Sequence, residues 1–553
     1  MNFKRQVICI GLIMGIVYTV HAQSARFSFF NYEGNDPRFE QTFDPATQYL
    51  NPIVAGFYPD PSVCRKGDTY YLVNSTFALY PGVPIHESKD LVSWRQIGHV
   101  LDHDSQLSLQ GNQVSAGIYA PDIVYNERND TFYMVTMNMG NYSLYYVKTK
   151  DPAKGWSEPI RLKAGGMDPA FFFDTDGKGY LVYTTLPFGG STYDGEMAVH
   201  INEFSVSGDS ICSESVELVK GGTSDVVNPQ WLEGPHIYHI DEYYYLMCAQ
   251  GGTQSGHTEV IFRSTDVYGP YEECPSNPIL TQHENLDTPF PVSSTGHADL
   301  SQTAEGDWWV VFLGCRPYEG DLYNTGRETF LLPVSWKDGW PYVLAGDTPL
   351  PTIVDKPNLQ TDVTRPTGNF SYTDRFEGDK LDMHWIYLRN PDSTAYHLDG
   401  KGILIDAASA DISQKEAISA IFRRQQHTNF TVTTEVAFTP QSEKDLAGFA
   451  LLQSETHNIV FGETLLDGRP SLILKRSSGE ENTEITTATL PASDSPVQLR
   501  IEGKGKYYSF SYRQGGEGAW LTLAKDVDAS NLSTHVAGGF IGTLIGLYAT
   551  AEP

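Results

Sequence analysis

The chain has 553 residues, too many for one ordinary core, so two domains or one large repeat fold are expected. A formal net charge of −30 excludes nucleic acid and anionic membrane as natural partners and favours a neutral ligand. With 50 Gly, 32 Pro and 32 Tyr, the composition points to short strands and many turns, and to little helix.

Residues 1–22 carry Lys4 and Arg5, then an apolar run of roughly a dozen residues, then Val20-His21-Ala22, which is the pattern of a cleaved secretory signal peptide. The run is shorter than the ~20 apolar residues that span a bilayer, and no later segment reaches that length, so no membrane span is expected. Export across the inner membrane to the periplasm or the exterior follows. Cleavage removes Cys9 and leaves Cys64, Cys212, Cys248, Cys274 and Cys315, an odd set that leaves at least one thiol free in a monomer. No CxxC or Cys/His spacing reads as zinc.

Between residues 45 and 345 one phrase recurs: an acid or proline, a short apolar run, a polar turn, then an aromatic strand. Its copies are "YPDPSVCRKGDTYYLVNST", "YAPDIVYNERNDTFYMVTM", "MDPAFFFDTDGKGYLVYTT", "EGPHIYHIDEYYYLMCAQ" and "GHADLSQTAEGDWWVVFLG". Lys66-Gly67-Asp68, Asp174-Thr175-Asp176-Gly177 and Glu305-Gly306-Asp307 are the turn signals inside three of them. Recurrence about every 45 to 65 residues is the period of propeller blades, so a five-bladed β-propeller is expected here. Residues 346–368 are Pro-rich and read as a linker. From 369 to 553 the alternation in "TVTTEVAF", "PSLILKRS", "PVQLRIEGKGKYYSFSYR" and "GGFIGTLIGLYAT" predicts antiparallel strands with one buried face, hence a β-sandwich. The fold class is all-β.

A propeller brings the first residues of its inner strands to one mouth. The copies supply Asp60, Asp122, Asp168, Glu233 and Asp299 there, with His236 and His297 beside two of them. Carboxylates crowded among aromatics separate in pKa through desolvation and mutual repulsion, one staying ionised while another keeps its proton. Such a pair can work as base and acid in hydrolysis of a glycosidic bond.

The ordered set "NPIVAGFYPDPSV", "MDPAFFFD", "WLEGPHIY", "GHADL" and "TGRETFL" resembles glycoside hydrolase family 43, in particular its two-domain β-xylosidase and α-L-arabinofuranosidase members, and the likeness covers nearly the whole chain after residue 22. The resemblance implies a concanavalin-A-like second domain that helps wall the pocket. It implies Asp60 as general base, Glu233 as general acid, and Asp168 as the residue that orients the acid and raises its pKa. It implies inversion at the anomeric centre, for which base and acid carboxyls stand about 6.5 to 9.5 Å apart. Pro59 and Pro61 restrict the backbone beside Asp60 and fix where it points.

Arg327 matches the arginine that reaches sugar hydroxyls. His297 matches the family's central histidine, which in many members contacts water or a calcium ion; no organic cofactor is required. Phe57, Phe77, Tyr119 and Phe171 are the candidates for stacking on the sugar. Asp122 stands where the family carries an uncharged residue and reads as a polar wall or substrate contact, and Asp299 as a brace for a neighbouring loop. Tyr119 replaces the usual Trp, and Ala78 and Leu79 replace an acid and an aromatic, so linkage preference is expected to differ from that of xylan-acting relatives.

The expected activity is exo-acting, inverting release of terminal α-L-arabinofuranose or β-D-xylose from a neutral plant oligosaccharide or polysaccharide. Two alternatives are a non-catalytic carbohydrate-binding propeller, which predicts loss of one of the three acids, and an endo-acting arabinanase, which predicts an open groove without the second domain.

Overall fold

The computed structural model describes residues 23–344, 346–359, 367–493 and 495–552. The expected signal peptide lies outside these residues, as does part of the expected linker. Nearly every element is a strand, and the one α-helix among the described residues, Thr534–Ala537, has 4 residues.

Five antiparallel sheets of four or five strands follow one another in the chain. Their innermost strands are Ser62–Lys66, Ile118–Asn126, Met167–Phe173, Glu233–Ile240 and Ser293–Gln302, and these pack side by side in a ring. Each is followed through a short turn by an aromatic partner: Thr69–Val73, Thr131–Asn138, Gly179–Thr185, Tyr243–Gln250 and Trp308–Cys315. Gly67, Gly177 and Gly306 sit in three of these turns with φ of 63°, 97° and 97°, a left-handed backbone that a residue without Cβ adopts at least cost. Clusters such as Phe132, Met134, Tyr145 and Val147 fill the space between neighbouring sheets. The result is the five-bladed propeller.

The second body is a sandwich of an eight-stranded and a six-stranded sheet. Phe30, Val432, Phe449, Phe461, Leu499 and Phe510 are among the residues that fill the space between the sheets. The expected boundary at residue 369 leaves out one of its central strands. Ser24–Gly34 lies inside the eight-stranded sheet, antiparallel to Ile403–Asp406 on one side and to Asn429–Ala437 on the other. Its alternating Ala25 and Phe27, then Phe30 and Tyr32 after a bulge, face the core. The described residues therefore begin in the sandwich, cross to build the propeller, and return.

Two features hold the bodies together. Leu79–Tyr80 of the first blade pairs with Tyr387–Leu388 of the sandwich, over a cluster that includes Phe57, Phe77, Ile386, Phe422 and Leu544. Between the second and third strands of the fifth blade, buried Arg316 bridges Asp36 at 2.6 Å and Glu328 at 2.5 Å, while Asp36 also accepts the Thr428 hydroxyl and the Asn429 amide. All five cysteines among the described residues are free, with Cys248, Cys274 and Cys315 buried.

Candidate active site

Each innermost strand opens on the same irregularity. Asp60, Ala120, Asp168, Gly234 and His297 have φ of 49°, 34°, 49°, 57° and 51°. In four of the five blades the ladder register shifts across this position: between Tyr119 and Asp122, Met167 and Ala170, Glu233 and His236, Gly296 and Asp299. A bulge of this kind re-aims a side chain out of the pleat. Four of the five positions, Asp60, Ala120, Asp168 and His297, line a single cavity of about 560 Å³ at the mouth of the propeller, together with Glu233 and Arg327. Asp and His tolerate the left-handed backbone better than branched residues do. Gly234 is required for a second reason, since a Cβ there would come within 3.0 Å of the His297 ring.

The bulges also correct the expected ring of acids. Asp122 and Asp299 do not line the cavity; they lie beneath it, two residues beyond the re-aimed positions. The inserted residue lets the preceding position reach the mouth and sends the next one down the channel. There the Ser62 hydroxyl stands 3.0 Å from both Asp122 Oδ1 and Asp299 Oδ2, the Phe171 amide donates to Asp122, and the Val63 amide and Tyr238 hydroxyl donate to Asp299. Asp122 is thus no substrate contact, and its carboxyl is pushed up to about 6 by burial and by Asp299. His236 Nδ1 lies 3.7 Å from Asp122 and 4.0 Å from Asp299. These three residues are the one group among the described residues that could hold a metal ion, their ligand atoms lying within 4.8 Å of one another. His297 is not in that group; its Nδ1 faces Asp60 Oδ1 at 3.8 Å.

The three acids of the cavity differ in charge for identifiable reasons. Burial disfavours the Asp60 anion, but Arg327, His297 and the Ser75 hydroxyl outweigh it and hold this carboxyl below the ordinary range. Arg327 Nη1 donates to Asp60 Oδ1 at 3.0 Å, and both side chains are almost fully buried. Among the described residues no cation pairs with Glu233 at that range, and Arg327 lowers it only in part. Burial, then Asp168, then Asp60, push its carboxyl well above the ordinary value. Asp168 is raised as well, by burial and by Asp60, with His297 opposing; its Oδ2 accepts the Gly234 amide at 3.2 Å. These opposite shifts favour the ionised form of Asp60 and the protonated form of Glu233, the division that acid–base chemistry uses.

Phe77 and Tyr119 form an aromatic wall with Phe540, which arrives from the sandwich. The ring centroids are 4.7 Å apart for Phe77–Tyr119, 5.7 Å for Phe77–Phe540 and 5.6 Å for Tyr119–Phe540. The Arg327 guanidinium lies 5.7 Å from the centroids of both Phe77 and Phe540. Gly326 makes this approach feasible, because a Cβ there would lie 2.7 Å from Gly542 Cα. The Phe540 amide donates to Ser115 Oγ and the Thr543 amide to the Asn324 carbonyl, pinning the loop to the propeller from two sides.

Phe57 and Phe171 stand outside the cavity. Phe57 is fully buried in the cluster between the two bodies, and Phe171 packs on Tyr146 and Phe204 between the second and third blades. Residue parity explains Phe171: the bulge at Asp168 turns the following side chains away from the axis. Cavity residues that sequence reasoning missed include Met139, Met167, Trp231, Gln254 and Phe540. Trp231 stands two residues before Glu233 in "WLEGPHIY" and was visible there; no local signal ties Phe540 to a site some three hundred residues upstream.

A family model described as Glycosyl hydrolases family 43 matches residues 49–341, and a second, described as Beta xylosidase C-terminal Concanavalin A-like domain, matches residues 373–553. A protein of Butyrivibrio fibrisolvens named xylosidase/arabinosidase is 36% identical over 509 residues, which cover 91% of this chain and 96% of its own. The non-reducing end alpha-L-arabinofuranosidase BoGH43B of Bacteroides ovatus is 35% identical over 511 residues, 91% of this chain and 92% of its own. Among solved structures, a GH43_12 retrieved from capybara gut metagenome superposes with a TM-score of 0.90 at 39% identity, covering 96% of this chain and all of the other.

Proposed function

The chain belongs to glycosyl hydrolases family 43 and is an exo-acting glycosidase; from that premise we propose that it releases terminal α-L-arabinofuranose, β-D-xylose or both from plant cell-wall glycans, with Asp60 as general base and Glu233 as general acid. Asp60 takes a proton from water as the water oxygen bonds to the anomeric carbon. Glu233 gives its proton to the departing oxygen as the glycosidic bond breaks. The products are the free sugar with inverted configuration and the shortened glycan. Asp168 keeps Glu233 protonated through like-charge repulsion.

The observation that carries this reading is the split between two carboxyls in one cavity, Asp60 lowered by Arg327 and Glu233 raised by burial and its acidic neighbours. The Phe540 wall favours a closed pocket for a terminal sugar over a groove for an internal one. The relatives named for xylosidase and arabinofuranosidase activity support both sugars, and the altered text at Ala78, Leu79 and Tyr119 inclines the reading toward arabinofuranose on a branched glycan.

No organic cofactor enters this chemistry. A divalent ion would find donors at Asp122, His236 and Asp299; two carboxylates with an imidazole nitrogen suit a transition ion, whereas calcium, which takes oxygen ligands, would use only the two carboxylates of this group. The pattern of residues 1–22 supports export to the periplasm or exterior.

The test is turnover of aryl α-L-arabinofuranoside and aryl β-D-xyloside with the first-formed anomer followed by NMR. Inversion on at least one is expected. Retention would remove the water-activating role from Asp60, and silence on both would favour a binding protein.

A further inference from the structure

His257 has no part in the chemistry above, yet its surroundings are specialised. The side chain is fully buried at the head of the strand Thr258–Ser264. Its Nδ1 stands 3.1 Å from the Ser294 carbonyl oxygen. A carbonyl only accepts, so Nδ1 carries the proton and Nε2 presents a lone pair. Ser294 adopts φ of 57°, and Gly296 leaves room for the ring, since a Cβ there would come within 2.8 Å of its Cε1.

The lone pair has one carboxyl in front of it. Nε2 has no hydrogen-bond partner among the described residues, and Glu233 Oε1 lies 3.8 Å away. That gap is longer than a hydrogen bond, and such contacts tighten when a substrate fills the site. An oxygen facing a lone pair is tolerated when it carries a proton and repelled when it is anionic. The other titratable and charged groups around the pair are Asp168, Asp60, Arg327 and the buried Glu259 around Glu233, and His297, Arg327 and Asp60 around His257. Burial depresses His257 to about 4, so the ring is neutral and able to accept at neutral pH.

We infer that His257 is a positioning residue for the acid: as substrate fills the site its Nε2 accepts the Glu233 O–H, which keeps that carboxyl protonated and aimed until the proton passes to the leaving oxygen. The inference rests on the reading of Glu233 as general acid. Loss of the acceptor removes stabilisation of the protonated form, so the basic limb of activity moves to lower pH.

The experiment uses two variants and two substrates. His257→Asn keeps an amide near the Ser294 carbonyl and removes the group facing Glu233, whereas His257→Gln places an amide where Nε2 stands. A 2,4-dinitrophenyl glycoside leaves without a proton, while an alkyl glycoside or disaccharide of the same sugar needs one.

His257→Asn should lose about tenfold to a hundredfold of kcat/KM on the alkyl glycoside, part of the 10²–10⁴ that general acid catalysis contributes. On the dinitrophenyl glycoside it should lose little, and its basic limb should move down. His257→Gln should restore the ratio between the substrates. Equal losses on both with an unmoved basic limb would reduce His257 to a packing residue and overturn the inference. Where His257→Asn does not fold, His257→Leu, which fills the space without an acceptor, takes its place: a selective loss on the alkyl glycoside with a lowered basic limb supports the inference, and equal losses with an unmoved limb refute it. Glu233→Ala is the control. If it loses both substrates equally, the assignment of the acid itself fails; if it splits them and His257→Asn does not, only the role of His257 fails.

Discussion

Arg327→Met removes the cation beside Asp60 while keeping a stem to pack between Phe77 and Phe540. Two unit charges about 4 Å apart at an effective dielectric of 20 interact by ~4 kcal/mol, which is about 3 pH units at 1.36 kcal/mol each. His297 and the Ser75 hydroxyl remain in the variant, so the Asp60 pKa should rise by about 1 to 3 units. In the native protein the folded value lies below the unfolded one. Asp60 therefore contributes stability that is present above pH ~4 and is lost as pH falls through the lowered value. In the variant, burial acts without its counter-charge and the folded value passes above the unfolded one. Stability then declines as pH rises from ~4 through the raised value, reversing the slope. Two measurements check this: the acid limb of kcat/KM on an aryl glycoside, which reports the free-enzyme base, and Tm as a function of pH. The height of the profile will fall too, because Arg327 also lines the cavity, so the diagnostic quantity is the position of the limb. An acid limb that stays in place would refute the claim that Arg327 sets the charge of the base.

Phe540→Ala opens the wall contributed by the sandwich; with ring pairs worth about 0.5 to 1.5 kcal/mol each, kcat/KM should fall roughly tenfold through KM while Tm changes by only a few degrees. Phe171→Ala should do the opposite, costing about 3 to 5 kcal/mol in a denaturant titration with KM of the folded enzyme unchanged, because its ring packs between blades. A raised KM at unchanged stability would place that ring in the cavity after all. Gly234→Ala adds a Cβ 3.0 Å from His297 on a backbone at φ of 57°, so it should cost about 1 to 2 kcal/mol and most of the activity, whereas Ala120→Gly at the equivalent bulge should leave activity near wild type.

The propeller was legible because the alternation of its strands and the Gly-bearing turns at Gly67, Gly177 and Gly306 are local signals. The three cavity acids were legible through the ordered motifs around them. The misplacement of Asp122, Asp299 and Phe171 has one common cause, the bulge. Period-two alternation assigns a face by parity, and an inserted residue at Ala120, Asp168, Gly234 and His297 breaks parity where chemistry is concentrated. Asp122 and Asp299 were therefore set one layer too high, and Phe171 was given to the sugar when it belongs between blades. The residue types at those positions, two Asp, one Gly, one Ala and one His, are mostly those that accept a left-handed backbone, so the bulges can be read from the five copies once they are aligned on that property instead of on their acids.

Phe540 and the strand Ser24–Gly34 were hidden differently, by distance along the chain, yet they are linked. Asp36, just past that strand, meets Thr428, Asn429 and Arg316, and Arg316 meets Glu328, the residue after Arg327. One buried polar chain thus runs from the end of that strand through the sandwich to the residue next to Arg327. The same Glu328 accepts the Gly56 amide at the entrance to the first blade. Because Arg327 is set by this chain on one side and by the Phe540 carbonyl on the other, the sandwich acts on the charge of Asp60 as well as on the shape of the pocket.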